Sequence, residues 1–180
     1  LTHALALDPK DGKYPFERGR AEWASKQDGP ALADFDRALE LKPDDVDFLA
    51  ERAWFRVLAK TPDLAKPDLE ALDRILGAGD DKRLRLAALY EGAQLYADAV
   101  LQDGKWIAAN PKSPDLPDVL NARCWTRAEW GRELDEALAD CNAALKLRPN
   151  DAAMLDSRGL VRLRLGDFDG SIADYRAALR

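Results

Sequence analysis

The sequence predicts an all-α fold of antiparallel helix pairs, and three observations carry that reading. A phrase recurs: ADFDRALELKPDD, from Ala33 to Asp45, returns as ADCNAALKLRPND, from Ala139 to Asp151. Pro9, Pro43, Pro111 and Pro149 each close an Ala/Leu-rich run, at spacings of 34, 68 and 38 residues, so a period of 34 runs through the chain with one insertion of four. No segment alternates apolar and polar residues with the period of two that a half-buried strand requires.

On this period the chain divides into units 12–45, 46–79, 80–113, 114–151 (carrying the insertion) and 152–180. Residues 1–11 read as the end of a truncated preceding repeat, and the last unit reads as truncated before its proline. Each unit reads as two helices. The first begins after residues such as KPDD and RPND, which favour turns and N-caps. It breaks at KQDG, KTPD, EGAQ, WGRE and LGDF; the second helix then runs to the next proline, which cannot continue it. Pro67 falls inside the second helix of 46–79 and predicts a kink or a late start there. In the last helix, Ile172, Tyr175 and Leu179 lack a following helix to cover them, which predicts partial exposure or cover by a further repeat or a second copy.

Composition narrows the function. Apolar residues make up 47% and charged residues 33% of the 180, which fits a packed, helix-rich protein. The net charge of -6 and the lack of a basic patch argue against nucleic acid. No apolar run approaches the roughly 20 residues of a membrane span. There is no CxxC or HExxH metal spacing and no GxGxxG or phosphate loop. His3 is the single histidine and lies in the incomplete terminal segment, a poor place for a catalytic base. These absences predict a protein with no catalytic residue, metal or cofactor. The Ala/Arg/Asp-rich composition suggests a bacterial source.

The units resemble the tetratricopeptide repeat (TPR) family. Counting from Ala152, Gly159, Gly166, Phe168, Tyr175 and Ala178 fall at positions 8, 15, 17, 24 and 27, where the family has small residues, aromatics and Ala; Ser171 replaces the usual Ala at 20. Gly19, Ala31, Phe35, Ala38 and Pro43 match in the first unit, and Ala87, Tyr90, Tyr96, Ala99 and Pro111 in the third. The insertion is best split, three residues before the fourth unit and one in its interhelical turn, which puts Cys124 at position 8, Leu120 at 4 and Gly131 at 15. The resemblance implies a right-handed superhelical solenoid of antiparallel helix pairs, with the first helices lining a groove for a peptide or protein partner. Its groove positions fall on Phe16, Arg20, Trp23, Trp54, Asn121 and Trp125, and also on Leu84, Glu91, Asp156 and Arg164. Two readings stand for the aromatic residues, a partner-binding patch or rings that complete the core. The family's carboxylate clamp is not reproduced by Lys13, Phe16, Glu17 and Arg20.

In this register position 7 reads Arg18, Arg52, Leu86, Arg123 and Arg158, and position 23 reads Asp34, Asp68, Gln102, Asp140 and Asp174. Wherever 7 is Arg, 23 is Asp, which predicts four ion pairs and none in the third unit. The pairs read as structural bridges, or as an arginine row for anions with which the aspartates would compete. Cys124 and Cys141 fall at interior positions on opposite helices of one unit. They read as buried apolar thiols, or as a disulfide, which would place the protein in an oxidising compartment such as a periplasm rather than a cytoplasm. The function implied is a non-catalytic scaffold for a protein or peptide partner. A self-associating domain forming a homodimer, and the accessory region of a longer enzyme, are the alternatives.

Overall fold

The computed structural model describes residues 11–180; the expectations for 1–10, including His3, lie outside the described residues. Those residues form α-helices and no strands. They fall into two compact units, divided after Leu76.

The first unit holds two helix pairs: α1 (Lys13–Ala24) with α2 (Asp28–Leu41), and α3 (Val46–Leu58) with α4 (Pro62–Ile75). The recurring phrase ends where α3 begins: the Asp45 carboxylate accepts from the backbone N–H groups of Asp47 and Phe48, satisfying two orphan donors of the helix end. The turns between paired helices need one left-handed residue each, taken by Lys26 and Lys60. Gly19 lets α1 and α2 approach. A Cβ there would lie 3.1 Å from the Ala31 carbonyl and from the Phe35 ring. The core between the pairs is aromatic: Phe16 stacks on Phe48 at 4.4 Å, and Phe55 meets Phe35 edge-on at 5.9 Å. The late start expected at Pro67 is not found. α4 runs unbroken from Pro62, because Pro67 sits on its exposed face, where water can satisfy the carbonyl that loses its donor.

The second unit holds three pairs: α5 (Lys82–Gly92) with α6 (Tyr96–Ala109), α7 (Leu116–Trp130) with α8 (Leu134–Leu147), and α9 (Ala152–Leu165) with α10 (Phe168–Ala178). Asp151 caps α9 as Asp45 caps α3, accepting from Ala153 and Met154. Gly131 and Gly166 end α7 and α9 in the left-handed conformation glycine adopts without strain. A Cβ on Gly159 would meet the Tyr175 ring at 3.0 Å, so that ring lies directly on the α9 backbone. On α10, Ile172 is exposed and Tyr175 half-buried, and Leu179, the residue that follows the helix, is exposed.

Candidate functional site

The arginine and aspartate side chains build the most regular feature. Arg18 donates through Nε and one terminal nitrogen to both oxygens of Asp34, at 2.5 and 2.6 Å. Arg52 holds Asp68, Arg123 holds Asp140 and Arg158 holds Asp174 in the same two-pronged way. Such paired charge-assisted bonds fix direction as well as distance. Partner residues are 16 apart in three of these pairs and 17 apart in Arg123–Asp140, which locates one inserted residue between the halves of that pair. A second arginine, one turn on, joins three of the four aspartates: Arg56 reaches Asp68, Arg127 reaches Asp140 and Arg162 reaches Asp174. Both oxygens of each aspartate are thus occupied from within the chain. In α5 and α6 the pair is replaced. Leu86 is buried, and the Gln102 side-chain oxygen accepts from Arg83, which also donates to the Gly77 carbonyl.

Of the residues placed on the groove, Phe16 is 8% exposed and packs between Phe35 and Phe48, which fits a ring that completes the core. Its position on the helix carries it inward because the gap between α1 and α3 is filled by rings. Trp23 is half-buried, edge-on to Phe35 and Phe55. Trp54 is 38% exposed on α3. Arg20 is exposed and pairs with Glu17 at 3.4 Å and with Glu51 at 3.5 Å. The Arg20–Glu51 pair puts these faces of α1 and α3 side by side, around a depression lined by Arg20, Trp23, Ala24 and Glu51. Trp54, three residues on from Glu51, shares that face of α3. In the second unit Asn121 and Trp125 are both half-buried on α7, and the Asn121 side-chain oxygen is buried without a hydrogen bond.

Cys124 on α7 and Cys141 on α8 are joined in a disulfide, with their Cα atoms 5.6 Å apart and both side chains fully buried. Ala128, Ala137 and Val161 pack around the bridge.

A further group of residues stands out only in the structure. A cavity of about 240 Å³ opens among α5, α6 and α7. Leu84, Ala87, Val119 and Ala122 form apolar walls, and Glu91 and Asp103 bring carboxyl groups to it. Burial raises the Asp103 carboxyl to about 7; Glu91 and Asp140 push the same way, against Arg123 and Arg127. Burial, with Glu129 nearby, raises Glu91 as well. Among the described residues no group of three or more His, Cys, Asp or Glu side chains is placed to hold a metal ion, and no helix is long and apolar enough to cross a membrane.

Helix pairs stacked with small residues at their crossings and aspartate-bound arginines define a helical-repeat protein. No protein-family model and no curated protein matches the chain. Solved structures do. The TPR protein YrrB, described as having an unusual peptide-binding site, aligns with a TM-score of 0.70 at 17% identity, over 99% of this chain and 90% of that one. MamA from Desulfovibrio magneticus aligns at 0.72 and 12% identity, over 94% and 93%. PilF of Pseudomonas aeruginosa aligns at 0.65 and 12%, over 95% and 76%. At these identities the likeness establishes the fold, and that fold is the tetratricopeptide repeat.

Proposed function

We propose that the chain is a non-catalytic scaffold that binds a peptide or protein segment on the exposed faces of the first helices of its pairs. The observation that carries this is the α1–α3 face, where Arg20, Trp23 and Glu51 line one depression and Trp54 stands exposed one turn on from Glu51. Tryptophan and arginine anchor partners more often than other residues, because each buries much surface and still hydrogen-bonds. The peptide-binding site named for YrrB, which shares the fold, supports the reading. The Arg–Asp pairs belong to the framework: their aspartates already neutralise the arginines, so an anion-binding row is not favoured. The Cys124–Cys141 bridge supports an oxidising compartment.

Selection of a displayed peptide library on the wild-type chain and on the Trp23→Ala/Trp54→Ala variant tests the reading. Enriched peptides that share a motif and lose affinity for the variant support it. Peptides that bind both equally, or no enrichment, overturn it. Self-association is the second reading, favoured by exposed Phe168 and Ile172 on α10 and Leu179 just after it. Light scattering at rising concentration decides it, a strict monomer ending it.

A further inference from the structure

One repeat position separates α6 from the other second helices. Where α2, α4, α8 and α10 place Phe35, Leu69, Cys141 and Tyr175, α6 places Asp103. Phe35 and Leu69 are fully buried filler, Cys141 is fully buried in its disulfide, and Tyr175 covers Gly159. Asp103 is nearly as buried, at 4% exposure, yet it is too short to fill the same space. The cavity among α5, α6 and α7 lies beside it.

No hydrogen bond or ion pair to the Asp103 carboxyl is found among the described residues, and Arg123 and Arg127 attract it only at longer range. The hydrogen bonds of the neighbouring cations go elsewhere, and one terminal nitrogen of Arg123 is left without an acceptor beside Gly104. Arg123 holds Asp140 with two nitrogens, and Arg127 divides its bonds between Asp140 and Glu133. Asp118, which also lines the cavity, is held by Arg148 at 2.6 Å. A buried carboxyl with no partner is costly, and natural proteins retain few such groups without a use for them.

We propose that this cavity is a binding site for an alkylammonium group, supplied by a lysine side chain of a bound peptide or by a free amine. The aliphatic stem lies against Leu84, Ala87, Val119 and Ala122, and the cation meets Asp103 and Glu91. At about 240 Å³ the cavity is smaller than sites for drug-sized ligands, which start near roughly 300 Å³, and suits a single side chain. Its apolar walls strengthen the attraction between the two charges relative to water. Divalent metals fit poorly, since calcium and magnesium take about six or more oxygen ligands and the walls supply few. Both raised carboxyls become fully charged when an ammonium group is beside them. The inference rests on the scaffold reading only for a peptide as the source. The Trp23 and Trp54 variant tests the first unit, so its failure leaves the present test standing.

The test is an NMR titration of the whole chain with n-butylammonium and with n-butanol, its neutral counterpart, at about pH 8, where the carboxyls ionise. Butylammonium should shift the amides of Ala87, Ala122 and Thr126 saturably, and butanol should not. Asp103→Asn keeps the volume and removes the charge; it should weaken butylammonium about tenfold or more, as loss of one charge-assisted contact does. Glu91→Gln, on a half-buried residue, gives the same readout where Asp103→Asn fails to fold. Equal binding of butanol, no saturable shift, or unchanged affinity in both variants overturns the proposal. A short blocked peptide with one lysine, compared with its norleucine analogue, separates the sources. Tighter binding of the lysine peptide than of butylammonium assigns the site to a partner's side chain, and the reverse order assigns it to a free amine.

Discussion

Arg123 and Gly104 face each other across α6 and α7 with nothing between them. A Cβ on Gly104 would lie 3.4 Å from one terminal nitrogen of Arg123. In two other repeats that nitrogen has an acceptor from the preceding second helix: Asp36 accepts from Arg52 at 2.6 Å, and Asn142 accepts from Arg158 at 3.0 Å. Gly104 stands at the same repeat position as Asp36 and Asn142, and it supplies no acceptor.

Gly104→Asp should therefore stabilise the second unit. Replacing a mid-helix glycine by alanine gains up to about 1 kcal/mol of helix propensity. Aspartate is a poorer helix former than alanine, so it must recover the difference through Arg123. The expected result is that Gly104→Asp and Gly104→Ala both raise stability by about 1 kcal/mol, with only the aspartate gain shrinking in high salt. Denaturant unfolding of the three proteins at two salt concentrations measures this. An aspartate variant less stable than wild type refutes the missing-acceptor argument.

The four aspartates of the ladder are not equivalent. Asp34 is held by Arg18, whose side chain is 36% exposed, and by no second arginine. Asp68, with a side chain 2% exposed, is held by Arg52 and Arg56, both largely buried. Removing Asp68 leaves two buried guanidinium groups short of a carboxylate, and breaking such a buried pair costs about 3–5 kcal/mol. Water can replace Asp34 around Arg18, so Asp34→Asn should cost nearer about 1 kcal/mol. Urea unfolding midpoints of Asp34→Asn and Asp68→Asn check the order; equal losses would show that the second arginine adds nothing.

The ladder also marks what the sequence makes legible. Position 7 and position 23 pair because two antiparallel helices bring one fixed spacing together, and fixed spacing is visible in a repeat. Arg56, Arg127 and Arg162 were equally visible, each four residues after a ladder arginine, but their role emerges only when both oxygens of the aspartate need an owner. Phe16 sits at a groove position and still packs inward, since the fate of a ring depends on its neighbours Phe35 and Phe48. Asp103 is the instructive case. A search for residues that match the repeat passes over it, whereas a search for departures at a filler position would have found it.

The Cys124–Cys141 bridge joins two helices that pack together in any case, so its effect falls mainly on the unfolded chain. For a sequence separation of 17 residues the loss of chain entropy corresponds to about 3 kcal/mol. Protein purified without reductant should show no free thiol in denaturant. Reduction, or the Cys124→Ala/Cys141→Ala variant, should lower stability by about 2–4 kcal/mol without changing helix content. Two titratable thiols in protein kept from reductant throughout would assign the cysteines as buried filler instead.

Asp103 makes stability depend on pH in an unusual direction. Its folded carboxyl titrates at about 7, whereas in the unfolded chain it returns to near 3.8. Burial is the main cause, with Glu91 and Asp140 adding to it and Arg123 and Arg127 opposing it. Between those two values the folded state holds the proton and the unfolded state has released it. The contribution of Asp103 to stability is therefore complete below about pH 4 and declines as pH rises through 7, after which it is constant. Most paired carboxylates act in the opposite sense, stabilising as pH rises. Other groups also titrate in this range, so the useful quantity is the difference between wild type and Asp103→Asn. Wild type should lose ground to the variant steadily from pH 4 to 7, by an amount on the order of a few kcal/mol. Thermal unfolding of both proteins across that range measures it. A saturating alkylammonium salt should reverse the trend near neutrality by stabilising the ionised form, and parallel pH profiles for the two proteins would mean that Asp103 is not held neutral by burial.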